Sequence, residues 1–311
     1  MSDPGARLRA AVLGHPIAHS RSPLLHATAY RALGVDIEYT AIDMLPGEVA
    51  GFAARLRTEP GWAGVSVTMP LKGALIEHLD ELSARVLRLG ALNTVVVQRL
   101  DGHVRLRGHN TDVDGIVRAL SNLLPSRLDS GNSTQDTAPG SIHRAGILGS
   151  GNTALAALEA CRSLGFTHVD LLVRDRQRAG TALALAHSLG LVGRAVEIGD
   201  AREQLPGYEA LISTLPAHAA DGLLSALGLD HEVRTPRTVL SPGAVLLDVA
   251  YDPWPSALAR AWEFAGGTVV SGLAMLVHQG VEQVKLFSGV HDADWDHVTN
   301  VMCDAVGLPR P

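Results

Sequence analysis

Ala145-Gly146-Ile147-Leu148-Gly149-Ser150-Gly151-Asn152-Thr153-Ala154 reads as a buried strand, a glycine-rich turn and the start of a helix. The spacing fits G-x-G-x-x-G/A, with Ala154 in the last place. The context the motif needs is present: an apolar helix predicted over 152–164 and a second strand over 169–173. Such a turn lets main-chain N–H groups at a helix start approach a pyrophosphate. Gly149, Ser150, Gly151, Asn152, Thr153 and Ala154 are therefore candidate dinucleotide ligands. The second strand runs into Val173-Arg174-Asp175-Arg176-Gln177-Arg178. Arginine at this strand end clamps a 2′-phosphate, whereas an acid takes a ribose 2′-hydroxyl. Arg174, with Arg176 and Arg178 behind it, points to NADP; Asp175 points to NAD.

Outward from this motif, short apolar runs alternate with helical patterns, the pattern of an α/β fold. Strands are predicted at 8–13, 36–42, 63–68, 93–98, 103–108, 145–149, 169–173, 193–197, 210–213, 244–249 and 267–270. Helices are predicted at 23–33, 46–58, 70–79, 113–124, 152–164, 176–189, 219–227, 255–264, 273–287 and 292–307. The clearest break is 125–141, rich in Ser, Asp, Gly, Thr and Pro. With no apolar period it is expected to be an exposed loop or disordered insertion between two α/β units.

The 311 residues are long enough for two cores, and 46% hydrophobic against 19% charged content describes a globular chain. A net charge of −6 without a basic stripe argues against nucleic acid as the main partner. No apolar run approaches a membrane span. Cys161 and Cys303 form no ligand or disulfide pattern, which suits the cytoplasm. His15 and His19 flank Pro16 in a loop, so no helical face presents them together and no metal is expected.

Of 26 basic residues only Lys72 and Lys285 are lysines. Arginine cannot trade a proton near neutral pH and lysine can, so Lys72, in a strand-to-helix turn, is a candidate acid/base group. It closes Ser66-Val67-Thr68-Met69-Pro70-Leu71-Lys72, in which alternation puts Ser66 and Thr68 on one strand face. If Pro70 starts a helix, Lys72 falls in the first turn, where the dipole disfavours its positive charge. In His19-Ser20-Arg21-Ser22-Pro23, Ser22 suits an N-cap with Pro23 at the first helical position, and Ser20 and Ser22 offer donors to a carboxylate. Asn93 opens a strand, Asp101-Gly102 signals a hairpin, and Asn110-Thr111-Asp112 follows the return strand, with Thr111 and Asp114 spaced as a capping box. If that return strand runs parallel to the first and third, Ser20, Ser22, Thr68, Lys72, Asn93 and Asp112 share one sheet edge, where open α/β sheets bind ligands.

Together with Gly14–Pro23 and Gly272-Leu273-Ala274-Met275-Leu276-Val277-His278-Gln279, these motifs resemble the shikimate dehydrogenase family along nearly the whole chain. The family commonly has Asn where this chain has Ser66, and Asn-Arg-Thr where it has Val173-Arg174-Asp175. The resemblance implies reversible NADPH-dependent reduction of 3-dehydroshikimate to shikimate, a step toward chorismate and the aromatic amino acids. It implies that Ser20 and Ser22 hold the substrate carboxylate, that Ser66, Thr68, Asn93, Asp112, Tyr251 and Gln279 line the substrate site, and that Lys72 and Asp112 are the catalytic pair. Cofactor contacts would come from Gly149–Ala154, Arg174, Arg178, Thr214, Ala250 and Gly272. The expected fold is α/β in two domains. A substrate domain with a mixed sheet takes 1–112 and 272–311, and a Rossmann-like domain takes 113–271. A monomer or homodimer is expected. The alternatives are an NAD-dependent quinate/shikimate dehydrogenase and a non-catalytic module that binds shikimate-like ligands.

Overall fold

Near-continuous apolar runs give the strands at 8–14 and 62–67 two buried faces, and the chain covers both. The computed structural model describes residues 7–100, 102–124, 142–229 and 238–311. The expected loop at 125–141 lies outside them. The chain divides into two compact units, Met1–Gly115 with Leu276–Pro311, and Ile116–Met275.

The first unit holds β1 (Leu8–Gly14), α1 (Ser22–Leu33), β2 (Ile37–Asp43), α2 (Val49–Thr58), β3 (Trp62–Val67), β4 (Glu81–Leu82), α3 (Ala84–Leu89), β5 (Thr94–Leu100) and β6 (His103–His109). The chain leaves it within α4 (Asp112–Ser121). The mixed sheet has the order β2-β1-β3-β5-β6-β4. β1 pairs parallel with β2 and β3, while β5 runs antiparallel to both β3 and β6. β6 therefore runs parallel to β3, the condition for a shared ligand edge. One sheet face packs Ala10, Val12 and Ala63 on α1, on α8 (Gly272–Ser288) and on α9 (Trp295–Ala305). The other packs Ala11, Leu13, Val65 and Val95 on α2 and on Leu71 and Leu75. Each fully buried Leu, Val or Phe of these layers contributes about 1.5–3 kcal/mol.

The second unit holds β7 (Arg144–Leu148), α5 (Asn152–Ser163), β8 (His168–Val173), α6 (Gly180–Ser188), β9 (Val192–Glu197), β10 (Ala210–Ser213), β11 (Val245–Asp248), α7 (Ala257–Phe264) and β12 (Thr268–Ser271). Its strands are parallel in the order β12-β11-β10-β7-β8-β9. This is the doubly wound 3-2-1-4-5-6 arrangement, whose order reverses between β7 and β10.

Two predicted helices do not form. Over 70–79 the chain makes turns and a short 3₁₀ helix, Ile76–His78. The Lys72 carbonyl accepts the Leu92 N–H at 3.0 Å, and Asp80 N–H goes to Leu106 O at 3.0 Å, so tertiary bonds replace helical ones. Over 219–227 only Asp221–Leu223 is helical, as 3₁₀. Gly222 weakens the run, and its bonds close over three residues, as in Leu223 N–H to Ala220 O at 2.9 Å. The segments 46–58 and 176–189 each begin as 3₁₀ turns before becoming α-helical. α3 and β4 were not predicted; six and two residues are too short for a visible period.

Asp170 ties four segments of the second unit together. Its carboxylate accepts from Arg194 at 2.6 and 2.8 Å, from Arg144 at 3.3 Å and from the Tyr208 hydroxyl at 2.7 Å. Its side chain is 3% exposed. Asp170→Ala strands these donors, and the unit should lose about 3 kcal/mol of stability in urea denaturation followed by circular dichroism.

Candidate active site

The return strand sets the site. β5 pairs Thr94 with both Ser66 and His109, so the carboxyl ends of β3 and β6 lie beside the start of β5. Asn93 precedes β5 and is held from both sides: Val67 N–H donates to its carbonyl at 2.7 Å, and its own N–H donates to His109 O at 3.1 Å. Asn110, Thr111 and Asp112, just past β6, arrive at the same edge.

There Lys72 Nζ donates to Asp112 Oδ2. Their side chains are 12% and 7% exposed. Lys72 does not sit at a helix start, so the dipole argument for it fails. What holds the ammonium is Asp112, with the Lys72 main chain anchored to Leu92. The Asn93 carboxamide nitrogen donates to Asp112 Oδ1 at 2.8 Å, to Thr111 Oγ1 at 2.9 Å and to Gln279 Oε1 at 3.2 Å, sharing two hydrogens among three acceptors. Thr111 and Asp114 form no capping box. Thr111 N–H donates to Asn93 Oδ1 at 2.8 Å, and Asp114 turns to Arg85 at 2.6 Å.

Lys72, Asn93, Asp112 and Gln279 thus form one bonded group. Thr68 follows β3 and lies against the end of β1, its Cγ2 2.4 Å from where a Cβ on Gly14 would stand. Ser20 and Ser22 follow β1, at the same sheet edge. Ser22 is not the N-cap: it is the first residue of α1, Arg21 occupies the cap without a side-chain bond, and Ser20 Oγ accepts the Ser22 N–H at 3.3 Å. Ser66 is turned elsewhere, accepting from Tyr39 Oη and donating to Gln283 Oε1, each at 2.7 Å. Tyr251 lies in the second unit, after β11. His15 is bonded through Nδ1 to Asp43 at 2.6 Å.

Sequence reasoning missed the buried polar layer behind Asn93. Gln283 Nε2 donates to Asn93 O at 3.2 Å and to Thr94 Oγ1 at 3.0 Å. Its Oε1 accepts from Ser66, and His26 Nε2 lies 3.3 Å away. His26 stacks on Tyr39 at 3.8 Å between ring centroids, and burial lowers its pKa to about 3 despite the Gln283 bond, so the ring is neutral. One signal was readable: Gln279 and Gln283 stand four apart, on one face of a largely apolar helix.

In the second unit the glycine turn lies at the point where the strand order reverses. Gly149 has φ 111°, a conformation that favours glycine, and a Cβ there would stand 2.7 Å from Thr214 Oγ1. Thr214 Oγ1 donates to Leu148 O at 2.9 Å, which explains its place beside the turn. A Cβ on Gly151 would meet nothing within 4 Å, so the approach to the α5 N-terminus is open, as a pyrophosphate requires. Ser150 precedes Gly151, Asn152 and Thr153 open α5, and Ala154 is fully buried against the sheet. A Cβ on Gly272 would stand 2.2 Å from Val249 O, so close packing accounts for that glycine. Ala250 borders a cavity of about 110 Å³ shared with His218, Ser256 and Arg260.

The three arginines differ. Arg176 is paired with Glu197 at 3.4 Å and Asp200 at 3.0 Å. Arg178 lies 3.7 Å from Asp175. Arg174 has no ion-pair partner among the described residues. Asp175 Oδ1 accepts Gln177 N–H at 2.9 Å and caps the 3₁₀ turn, so this carboxylate is already engaged.

A mixed-sheet unit with a lysine–aspartate pair and a doubly wound unit with an open glycine turn define a two-unit dinucleotide-dependent dehydrogenase. A family model for the shikimate dehydrogenase substrate binding domain matches residues 12–95. Shikimate dehydrogenase (NADP(+)) of Shouchella clausii is 31% identical over 280 residues, 89% of this chain and 92% of that protein. The solved shikimate dehydrogenase of Mycobacterium tuberculosis is 36% identical with a TM-score of 0.75, covering 96% of this chain and 99% of that one. The shikimate 5-dehydrogenase of Thermus thermophilus, solved with NADP(H) and shikimate, is 33% identical with a TM-score of 0.69, covering 96% and 99%. The chain belongs to the shikimate dehydrogenase family. No helix among the described residues is long and apolar enough to cross a membrane.

Neutral His26 makes the first unit acid-sensitive. Unfolded, the imidazole titrates near 6.5; folded, near 3, so between these values the unfolded chain binds more protons. Its contribution is complete above pH 6.5 and shrinks as pH falls. From about pH 8 to pH 5 the loss is roughly 2 kcal/mol. Urea midpoints at the two pH values should show that decrement in the native protein and a smaller one in His26→Gln.

Proposed function

We propose that this chain catalyses the reversible NADP-dependent reduction of 3-dehydroshikimate to shikimate, with Lys72 and Asp112 as the acid/base pair. The buried Lys72–Asp112 pair, bonded in turn to Asn93, carries the reading. In this reading the first unit binds substrate and the second binds cofactor. Ser20 and Ser22 take the substrate carboxylate, and Thr68, Asn93 and Gln279 position the ring and its hydroxyls. Ser66 supports them from behind. Gly149 to Ala154 hold the pyrophosphate, Arg174 and Arg178 the 2′-phosphate, and Thr214, Ala250 and Gly272 border the nicotinamide. Bound NADPH supplies the hydride that reaches the ketone carbon.

Lys72 acts on the oxygen. As the carbonyl becomes an alkoxide, the ammonium donates a proton to it, completing the alcohol. Asp112 keeps the ammonium in place beforehand and steadies the neutral amine until solvent returns the proton. In the reverse direction the amine accepts the hydroxyl proton. The engaged carboxylate of Asp175, and an Arg174 without an ion-pair partner among the described residues, favour NADP over the NAD alternative. Two buried free thiols, Cys161 and Cys303, favour a reducing compartment such as the cytoplasm.

Steady-state oxidation of shikimate and of quinate with NADP⁺ and NAD⁺ tests the assignment. Turnover of shikimate with NADP⁺ should dominate, and binding without turnover would leave a ligand-binding module instead. Lys72→Ala should lower kcat by about a thousandfold while KM for shikimate changes far less. Lys72→Arg keeps the charge and should stay inactive; good activity there would refute proton transfer. Arg174→Ala should raise KM for NADPH about tenfold, the scale of one lost charge-assisted bond, and leave KM for NADH unchanged.

A further inference from the structure

We propose that Gln283 is a positioning residue, whose carboxamide holds Asn93 in the orientation that binds Asp112. The inference rests on the assignment of Lys72 and Asp112 as the acid/base pair. Gln283 touches neither of them. It lies on α8, 1% exposed, behind Asn93 and Thr94, which are 2% and 0% exposed.

The direction of every bond in this layer follows from two backbone groups that have no choice. The Asn93 carbonyl can only accept, so the Gln283 nitrogen must face it, at 3.2 Å. The Gln283 oxygen then faces away and accepts the Ser66 hydroxyl at 2.7 Å and His26 Nε2–H at 3.3 Å. Ser66, having donated, accepts from the Tyr39 hydroxyl at 2.7 Å. His26, with its proton on Nε2, accepts the Tyr30 hydroxyl on Nδ1 at 3.1 Å. The second Gln283 N–H goes to Thr94 Oγ1 at 3.0 Å, which commits the Thr94 hydrogen to Asn93 Oδ1 at 2.8 Å. The other fixed group is the Thr111 N–H, which can only donate and meets Asn93 Oδ1 at 2.8 Å. With two donors on its oxygen, the Asn93 carboxamide has its nitrogen toward Asp112 Oδ1, at 2.8 Å.

A single directed chain therefore runs from Tyr39 through Ser66, Gln283, Thr94 and Asn93 and ends on Asp112, whose other oxygen accepts from Lys72. Gln283 is the member that accepts from Ser66 on β3 and His26 on α1 and donates to Asn93 O and Thr94 Oγ1 at the start of β5. A side chain that cannot donate leaves the Thr94 hydroxyl free to turn away and removes one of the donors that fix Asn93 Oδ1, leaving Thr111 N–H and the longer contact of Thr111 Oγ1 at 3.3 Å. The error is passed to Asp112 and the ammonium, whereas Ser20 and Ser22, which would grip the substrate, are not bonded to this layer. Asn93 also helps to position the ring, so KM should rise a little, but the larger loss should fall on turnover.

The experiment compares wild type, Gln283→Leu, Thr94→Val, Asn93→Ala and the Gln283→Leu/Asn93→Ala double variant in shikimate oxidation with NADP⁺, each checked for a cooperative thermal transition. Gln283→Leu should lower kcat about tenfold with KM for shikimate within about threefold. The double variant should be no worse than Asn93→Ala alone by more than about threefold, because both substitutions break one chain. Losses that multiply in the double variant, a KM that rises as much as kcat falls, or a Gln283→Leu kcat within about twofold of wild type would each overturn the proposal. Should Gln283→Leu not fold, Thr94→Val decides: it keeps the shape and cuts the same link. A kcat lowered by at least about fivefold supports the role, and a kcat nearer wild type than that overturns it. A wild type that does not oxidise shikimate overturns the proposed function and this inference together. An active wild type with unaffected variants overturns only the role of Gln283.

Discussion

Asn93 is the constraint on which the candidate site depends. Its main chain joins β3 and β6 at the start of β5, and its side chain joins Asp112, Thr111 and Gln279. It is 2% exposed, so each of its polar atoms must find a partner inside the protein. A residue so bonded has one orientation. The carboxylate it holds, and the ammonium that carboxylate holds, inherit that single geometry. Preorganisation of this kind lets a small set of charges act on a developing alkoxide without first rearranging.

The buried lysine–aspartate pair needs such support. Two charges removed from water repay their desolvation only when the remaining lone pairs and protons are also bonded. Asp112 uses both oxygens, one for Lys72 and one for Asn93, and its N–H is held by Asn110 Oδ1 at 3.0 Å. The second unit follows a different logic. Its glycine turn works by what is missing: at Gly149 the backbone adopts φ 111°, and at Gly151 the space beyond the chain is open. Arg174 is likewise left unpaired among the described residues, while Arg176 is tied to Glu197 and Asp200.

Much of this was legible before the fold was known. The doubly wound unit could be read from Ala145–Ala154 because a strand, a turn that requires glycine and an apolar helix are all local features. Lys72, Asn93 and Asp112 could be singled out because they stand at strand ends, where ligand-binding groups gather. The charge of Lys72 is not set against a helix dipole, since no helix starts at Pro70. The Leu92 N–H, twenty residues away in sequence, takes the carbonyl that a helix would have used. The family resemblance implies that Ser66 lines the substrate site. Alternation gave the right face, but Tyr39 and Gln283 already occupy its hydroxyl.

The sequence by itself determined the α/β alternation, the glycine turn, the polar strand ends and the lysine among arginines. Each of these depends on residues within one turn or one strand of each other. Only the tertiary structure decided that β6 runs parallel to β3, and so brought Asp112 to Lys72. It also decided that Gln283 from α8 lies behind Asn93. These outcomes depend on partners up to 190 residues apart, joined by hydrogen bonds whose directions are set by burial and not by any local pattern.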